Sequence, residues 1–170
     1  FFGVDAGGSN TTASNNTAIG ACSLKANTTA PDNTAVGFES MLTNTTGCRN
    51  VAVGKRSLKL NTEGCDNVAI GLSALGANTT GDFNTGVGFG SLTANTTANN
   101  NTALGYCSLA SNTTGTSNVA VGTCALRSGT TGVSNTAIGN GAMYEGVTTG
   151  SYNTMVGNNS GRKMTSGNQN

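Results

Sequence analysis

The sequence has no histidine and no tryptophan, only one proline (Pro31), and few charged (9%) or aromatic (5%) residues. Because histidine and a Cys-x-x-Cys spacing are both missing, we expect no metal site and no other cofactor. The formal net charge is only +1, and without clustered lysines and arginines we expect no nucleic acid partner. No apolar run approaches the roughly 20 residues that a membrane span needs.

The acidic residues are also too few and too scattered for catalysis. There are seven of them, whereas enzymes on β-solenoids cluster carboxylates with basic residues on one face. Asp32 and Asp66 share a position in the repeat described below, but nothing near them in the sequence would raise one pKa or bind a sugar. We therefore predict no catalytic residue and no enzymatic activity. The acidic residues are Asp5, Asp32, Glu39, Glu63, Asp66, Asp82 and Glu145.

Glycine, asparagine and threonine are abundant instead, and they recur with a period of 17 residues. Numbered from its opening Asn, each repeat has an apolar residue at position 4 and Gly at position 5. Most repeats have Leu or Met at position 9 and Asn at position 12 followed by Thr. One step, from Asn135 to Asn153, is 18 residues long because of an insertion between Tyr144 and Val147. The repeats open at Asn16, Asn33, Asn50, Asn67, Asn84, Asn101, Asn118, Asn135 and Asn153.

A repeat of this length excludes helical repeats, whose helix pairs need about 33–47 residues. It fits one coil of a parallel β-solenoid (a β-helix or β-roll), with glycine supplying the φ > 0 conformations of tight corners. We predict an all-β chain in which residues 1–170 form one solenoid segment of about ten coils, part of a longer chain or filament. Short strands are expected at positions 2–4, 7–10 and 12–14. The Asn at position 1 should form a ladder from coil to coil.

Alternation along a strand predicts which side chains face inward. If positions 4 and 9 fill the thin core, the small residues at positions 3 and 8 point outward and offer smooth strips to a neighbouring chain. Position 6 carries an apolar stripe, and two interpretations of it stay open: core filling, or a contact surface for another chain or a glycan. The stripe consists of Phe38, Leu72, Phe89 and Tyr106.

Four of the five cysteines form two pairs, and each pair is separated by one repeat length. Cys48 and Cys65 share position 16, and Cys107 and Cys124 share position 7. Stacked coils place such residues about 4.8 Å apart, within the Cα separation of about 4.4–6.8 Å that disulfides need. We predict both disulfides and an oxidising compartment. The alternative is small buried thiols, and Cys22 has no stacked cysteine beside it.

Position 12 creates Asn-x-Thr sequons that would carry glycans in a secreted eukaryotic protein. In a bacterium or phage the same Asn and Thr residues would remain bare and form ladders. The Thr residues at positions 13 and 14 also raise an ice-binding alternative, because regular Thr rows on a β-face occur in ice-binding solenoids. The sequon residues are Asn10, Asn27, Asn44, Asn78, Asn95 and Asn112.

Stretches such as NTALGYCSLASNTTGTSNVAVG (101–122) resemble the repeats of phage tail-fibre proteins. They are more loosely similar to the head repeats of trimeric autotransporter adhesins, and the resemblance covers nearly the whole chain. It implies an extracellular or surface-exposed fibre, frequently trimeric, on a cell or virion. We therefore expect a structural fibre segment that self-associates, either end to end or as a trimer. The alternative is an adhesin or tail-fibre shaft that binds a host surface or glycan.

Overall fold

A computed structural model describes residues 1–145, 149–164 and 167–168, and in them the chain forms a β-solenoid without any helix. Nine three-residue strands pair in parallel, each with the next strand along the chain, in one sheet. Phe2 extends the sheet by a single bridge to Ile19. The predicted fold class is confirmed. The strands are β1 (Thr17–Ile19), β2 (Thr34–Val36), β3 (Val51–Val53), β4 (Val68–Ile70), β5 (Thr85–Val87), β6 (Thr102–Leu104), β7 (Val119–Val121), β8 (Thr136–Ile138) and β9 (Thr154–Val156).

The register of the sheet repeats the register of the sequence. Val68 pairs with Thr85, Ala69 with Gly86 and Ile70 with Val87, so residues one repeat length apart lie beside one another. The longer step between Asn135 and Asn153 keeps this register, because Thr136 pairs with Thr154. The insertion that we placed between Tyr144 and Val147 falls partly outside the described residues.

Glycine at position 5 ends every strand for two physical reasons. Its φ lies between 120° and 136° in Gly20 to Gly157, a region that side chains disfavour. In addition, a Cβ on Gly71 would lie 2.6 Å from the carbonyl oxygen of Gly88. Successive coils therefore touch backbone to backbone at this corner, and no larger residue fits.

The remainder of each coil differs from the prediction, because positions 7–10 and 12–14 form turns and irregular backbone rather than strands. Left-handed residues break the extended backbone, as at Ser73 (φ 56°), Leu75 (φ 51°) and Phe83 (φ 57°). Hydrogen bonds between coils nevertheless continue: the Leu75 N–H donates to the Ser91 carbonyl at 3.0 Å, and the Phe83 N–H to the Cys65 carbonyl at 3.1 Å.

The predicted orientation of the strands is wrong. The small residue at position 3 faces the core, as in the fully buried Ala52 and Ala69, while the larger residue at position 4 faces outward. The interior is narrow: a Cβ on Gly86, at position 3, would lie 3.4 Å from Cγ of Leu75. Only an alanine-sized side chain fits opposite the Leu row, and a branched side chain must therefore point away from it.

Position 8 is buried as well, so neither of the predicted smooth outer strips exists. Ser57 and Ser91 are fully enclosed next to the core residues Leu58 and Leu92. The alternation expected of a strand does not apply here, because the residue at position 9 is left-handed. The Ser57 hydroxyl donates to the Gly54 carbonyl at 2.9 Å, so the buried serine side chain has a hydrogen-bond partner within its own coil.

Candidate functional site

The invariant Asn at position 1 forms the predicted ladder. Oδ1 of Asn67 accepts hydrogen bonds from the backbone N–H of Asn84 at 2.9 Å and from its Nδ2 at 3.2 Å. Nδ2 of Asn84 also donates to the Ala98 carbonyl at 2.8 Å, which closes its own coil. The Asn at position 1 is buried in every coil from the one that opens at Asn33 to the one that opens at Asn153. Its backbone N–H donates to Oδ1 of the preceding position-1 Asn at every step from Asn16 to Asn153.

A second buried ladder runs through position 12. Nδ2 of Asn78 donates to Oδ1 of Asn61 at 2.8 Å and to the Gly81 carbonyl at 2.9 Å. The same carbonyl accepts a bond from Asn67 of the first ladder. Side-chain amides of both ladders therefore converge on position 15 in the six coils that open at Asn16 to Asn101. The second ladder stops at Asn112, because position 12 of the next coil is Gly129. Among the described residues, no buried side-chain nitrogen or oxygen lacks a hydrogen-bond partner.

The second ladder argues against a glycan strip at position 12. The nitrogen that would carry a sugar is buried and hydrogen-bonded in Asn27, Asn44, Asn78, Asn95 and Asn112. Asn10 is half-buried, and its Nδ2 donates to the Ala13 carbonyl at 3.1 Å. A sugar on a buried amide would break the ladder, so the alternative of bare Asn ladders fits the folded chain. Other sequons begin at Asn15, Asn100 and Asn158, whose side chains are exposed.

Threonine forms rows of two kinds. At position 13 the hydroxyl donates to the carbonyl of the next coil, as in the bond from Thr62 to Thr79 at 3.1 Å and from Thr79 to Thr96 at 3.0 Å. Position 14 is exposed, and Glu63 interrupts the row of Thr46, Thr80 and Thr97. Of the two rows that raised the ice-binding alternative, only this second one faces water fully.

The cysteines stack as the spacing predicts, but all five are free thiols in the structure. The two sulfur atoms of Cys48 and Cys65 are 2.7 Å apart. Burial, followed by a hydrogen bond with Cys48, raises the pKa of the Cys65 thiol to about 11. Cys107 and Cys124 are half-buried in neighbouring coils, and a hydrogen bond with Cys107 raises the pKa of the Tyr106 phenol. Both disulfides remain predictions.

Within the described residues, five ion pairs join charged residues of neighbouring coils, and they are spread along the solenoid. Arg49 binds Asp66 through two hydrogen bonds, from Nε at 2.7 Å and from an Nη at 2.8 Å, which lowers the pKa of Asp66. Glu39 contacts Arg56 at 2.9 Å and Lys59 at 3.0 Å. Within the described residues, no three Cys, Asp or Glu side chains are grouped so that they could hold a metal ion.

The outward rows of the sheet form an exposed apolar surface. Ile70 and Leu104 at position 4 are 40% and 47% exposed, and the stripe at position 6 is exposed in all four members. Core filling, one of the two interpretations of this stripe, is therefore wrong. The rings of Phe89 and Tyr106 are stacked with centroids 5.3 Å apart, and Lys55 lies over the ring of Phe38 at 5.8 Å.

Sequence reasoning missed the row at position 4, because an apolar residue in a short strand is ordinarily assigned to the core. The only available signal was the small size of position 3, where Ala or Gly occurs from Ala18 to Ala137.

The described residues contain no helix with the length and apolar character needed to cross a membrane. No protein-family model, curated protein or solved structure matches the chain.

Proposed function

We propose that this chain is a structural segment of an extracellular fibre and that its coils form a stiff shaft. The observation that carries the proposal is the pair of buried Asn ladders, which run from coil to coil inside the solenoid. Buried amides with satisfied hydrogen bonds fix their neighbours in one arrangement. Each coil therefore holds the next in the same register, which suits a part that bears load along one axis.

Repetition also supports a shaft. The eight steps from β1 to β9 make a sheet about 38 Å long at about 4.8 Å per step. Repeat proteins of this kind depend on contacts between neighbouring units, so the same coil can be added many times without a new packing problem. The length of the shaft is then set only by the number of coils.

The pairing of successive coils is itself a route to assembly. Each strand pairs in parallel with the equivalent strand of the next coil, as β8 does with β9, and an unpaired strand edge is a template for another strand. A coil of another copy that pairs in the same way continues the stack. Contacts of this head-to-tail kind need not close into a ring and produce open filaments. The resemblance to tail-fibre repeats supports the same function.

Electron microscopy tests the proposal with a length variant. Residues 67–117, which form three whole coils, are duplicated, and the assemblies of both chains are imaged. We expect filaments whose repeat along the axis is about 14 Å longer in the variant, at about 4.8 Å for each added coil. The control receives an equally long Gly-Ser segment after the exposed Thr80, and its repeat should stay unchanged. Dispersed particles at every concentration would overturn the proposal.

A further inference from the structure

We infer that the exposed side of the sheet packs against the same side of another copy of this chain. This inference rests on the proposed fibre function, for which it names the partner and the surface. The sheet face consists of positions 2 and 4 of β1 to β9 together with the stripe at position 6. Its row at position 4 is Ile19, Val36, Val53, Ile70, Val87, Leu104, Val121, Ile138 and Val156.

The chemistry of the sheet face favours burial. Position 4 carries Ile, Val or Leu in all nine strands, position 2 carries Thr or Val, and neither row contains a charged residue. Lys55 is the charged residue in the stripe between Phe38 and Leu72, and its ammonium group lies over the ring of Phe38. Exposed apolar surface of this extent is characteristic of interaction sites in soluble proteins.

The size of the sheet face fits a stable contact. It is about 38 Å long at about 4.8 Å per strand step, and about 15 Å wide from position 2 to the stripe. This gives on the order of 550 Å² on each copy and about 1,100 Å² for a pair, just above the roughly 1,000 Å² of a specific interface. Two copies that contact each other along less than the full length of the sheet face would bury less area than this threshold.

The period of the sheet face identifies the occupant as another copy. Its side chains recur once per coil in rows aligned with the strand register, at about 4.8 Å. Two side chains of the same row on neighbouring strands leave a gap between them. Only a partner with the same period places one of its own side chains in every such gap along the whole sheet face. Another solenoid of this chain has that period, and sheets packed face to face interdigitate their side chains at about 10 Å separation. Neither row carries a charge that would repel its copy.

Two matched triple variants test the inference. The face variant combines Ile70→Lys, Val87→Glu and Leu104→Lys, which places charges on three neighbouring strands. The control variant combines Thr80→Lys, Thr97→Glu and Thr114→Lys, which makes the same charge change in the same three coils at the exposed position 14. Mass is measured by analytical ultracentrifugation, the number of solenoids across a fibre by electron microscopy, and the fold of each variant by circular dichroism.

We expect the wild type and the control to associate laterally, and the face variant to keep its β spectrum while its lateral association weakens at least tenfold. Equal association of all three proteins would overturn the inference. So would fibres only one solenoid thick, which would leave the fibre function itself intact. If the face variant does not fold, Ile70→Thr with Leu104→Thr replaces it, because Thr already occupies the outward position 2 of β5 and β6. Unchanged association of that folded variant would also overturn the inference.

Discussion

The side-chain amide of Asn95 donates to Oδ1 of Asn78 at 2.8 Å, and both side chains are completely buried. The same nitrogen donates to the Ala98 carbonyl at 3.0 Å. Replacing Asn95 by Asp puts a carboxylate oxygen against two acceptors inside the coil. We expect Asn95→Asp to lower the free energy of unfolding by about 3 kcal/mol or more, the scale for an uncompensated buried charge, as measured by guanidinium denaturation.

The control for this substitution is Asn100→Asp. Asn100 is exposed and left-handed (φ 61°), a conformation that Asp also tolerates. The chemical change is the same and lies in the same coil, so its effect on unfolding should stay within about 0.5 kcal/mol, as is usual for surface positions. Equal effects of the two substitutions would contradict a structural role for the buried ladder.

Two glycines in one short segment should respond oppositely to alanine. Gly86 lies at the inward position 3, where most other coils have Ala, and a Cβ there would meet Oγ of Ser91 at 3.1 Å. Gly88 has φ 129°, and its Cβ would collide with the carbonyl oxygen of Gly105. We expect Gly86→Ala to be neutral or stabilising by up to about 1 kcal/mol, because alanine restricts the unfolded chain. We expect Gly88→Ala to cost about 2 kcal/mol or more. Thermal unfolding of both proteins measures the difference.

The period alone was sufficient to predict the fold class, the register and the first Asn ladder. These features require only that equivalent residues stack on one another. Which side of the strand faces inward was not predictable in this way, because it depends on the width of the coil. The backbone also turns at left-handed residues such as Ser73 and Leu75, and neither residue type signals φ > 0 in a sequence. The strand has the opposite orientation from the one predicted, and Ile70 therefore lies at the surface.

The sequence pattern was also not sufficient to predict that the sequon amides are buried. Asn-x-Thr has the same letters whether Asn faces water or the interior. At Asn44 the amide closes a bond to the Gly47 carbonyl at 2.8 Å, three residues further along the chain. The recurrence of Asn at position 12 was consistent with both interpretations, and only the path of the turn distinguishes them.

The pairing of Cys48 with Cys65 is testable by peptide mapping without reduction. We expect one cross-linked peptide containing both residues in oxidised protein and, in reduced protein, slow alkylation of Cys65 at neutral pH. The reason for the slow reaction is the pKa of about 11, since the thiolate is the nucleophile. Rapid alkylation of Cys65 at neutral pH in folded protein would contradict the described environment. Cys48→Ser removes the cross-link and serves as the control.

Asp66 should make stability depend on pH in the acid range. Its pKa is lowered in the folded chain, first by the hydrogen bonds from Arg49. A carboxyl group with a lowered folded pKa stabilises the fold above its ordinary pKa, and this contribution disappears as the pH falls through the folded value. In Arg49→Gln the pKa of Asp66, followed by carboxyl NMR, should rise towards its ordinary value. An unchanged pKa would show that Arg49 does not hold this carboxylate.

X-ray diffraction from an aligned fibre distinguishes coils that stack along the fibre axis, as we propose, from coils that lie across it. Parallel strands stacked along the axis produce a reflection at about 4.8 Å on the meridian, because this is the separation of neighbouring coils. We expect that meridional reflection in fibres of the wild-type chain. A reflection at about 4.8 Å confined to the equator, with solenoids lying across the fibre, would contradict it.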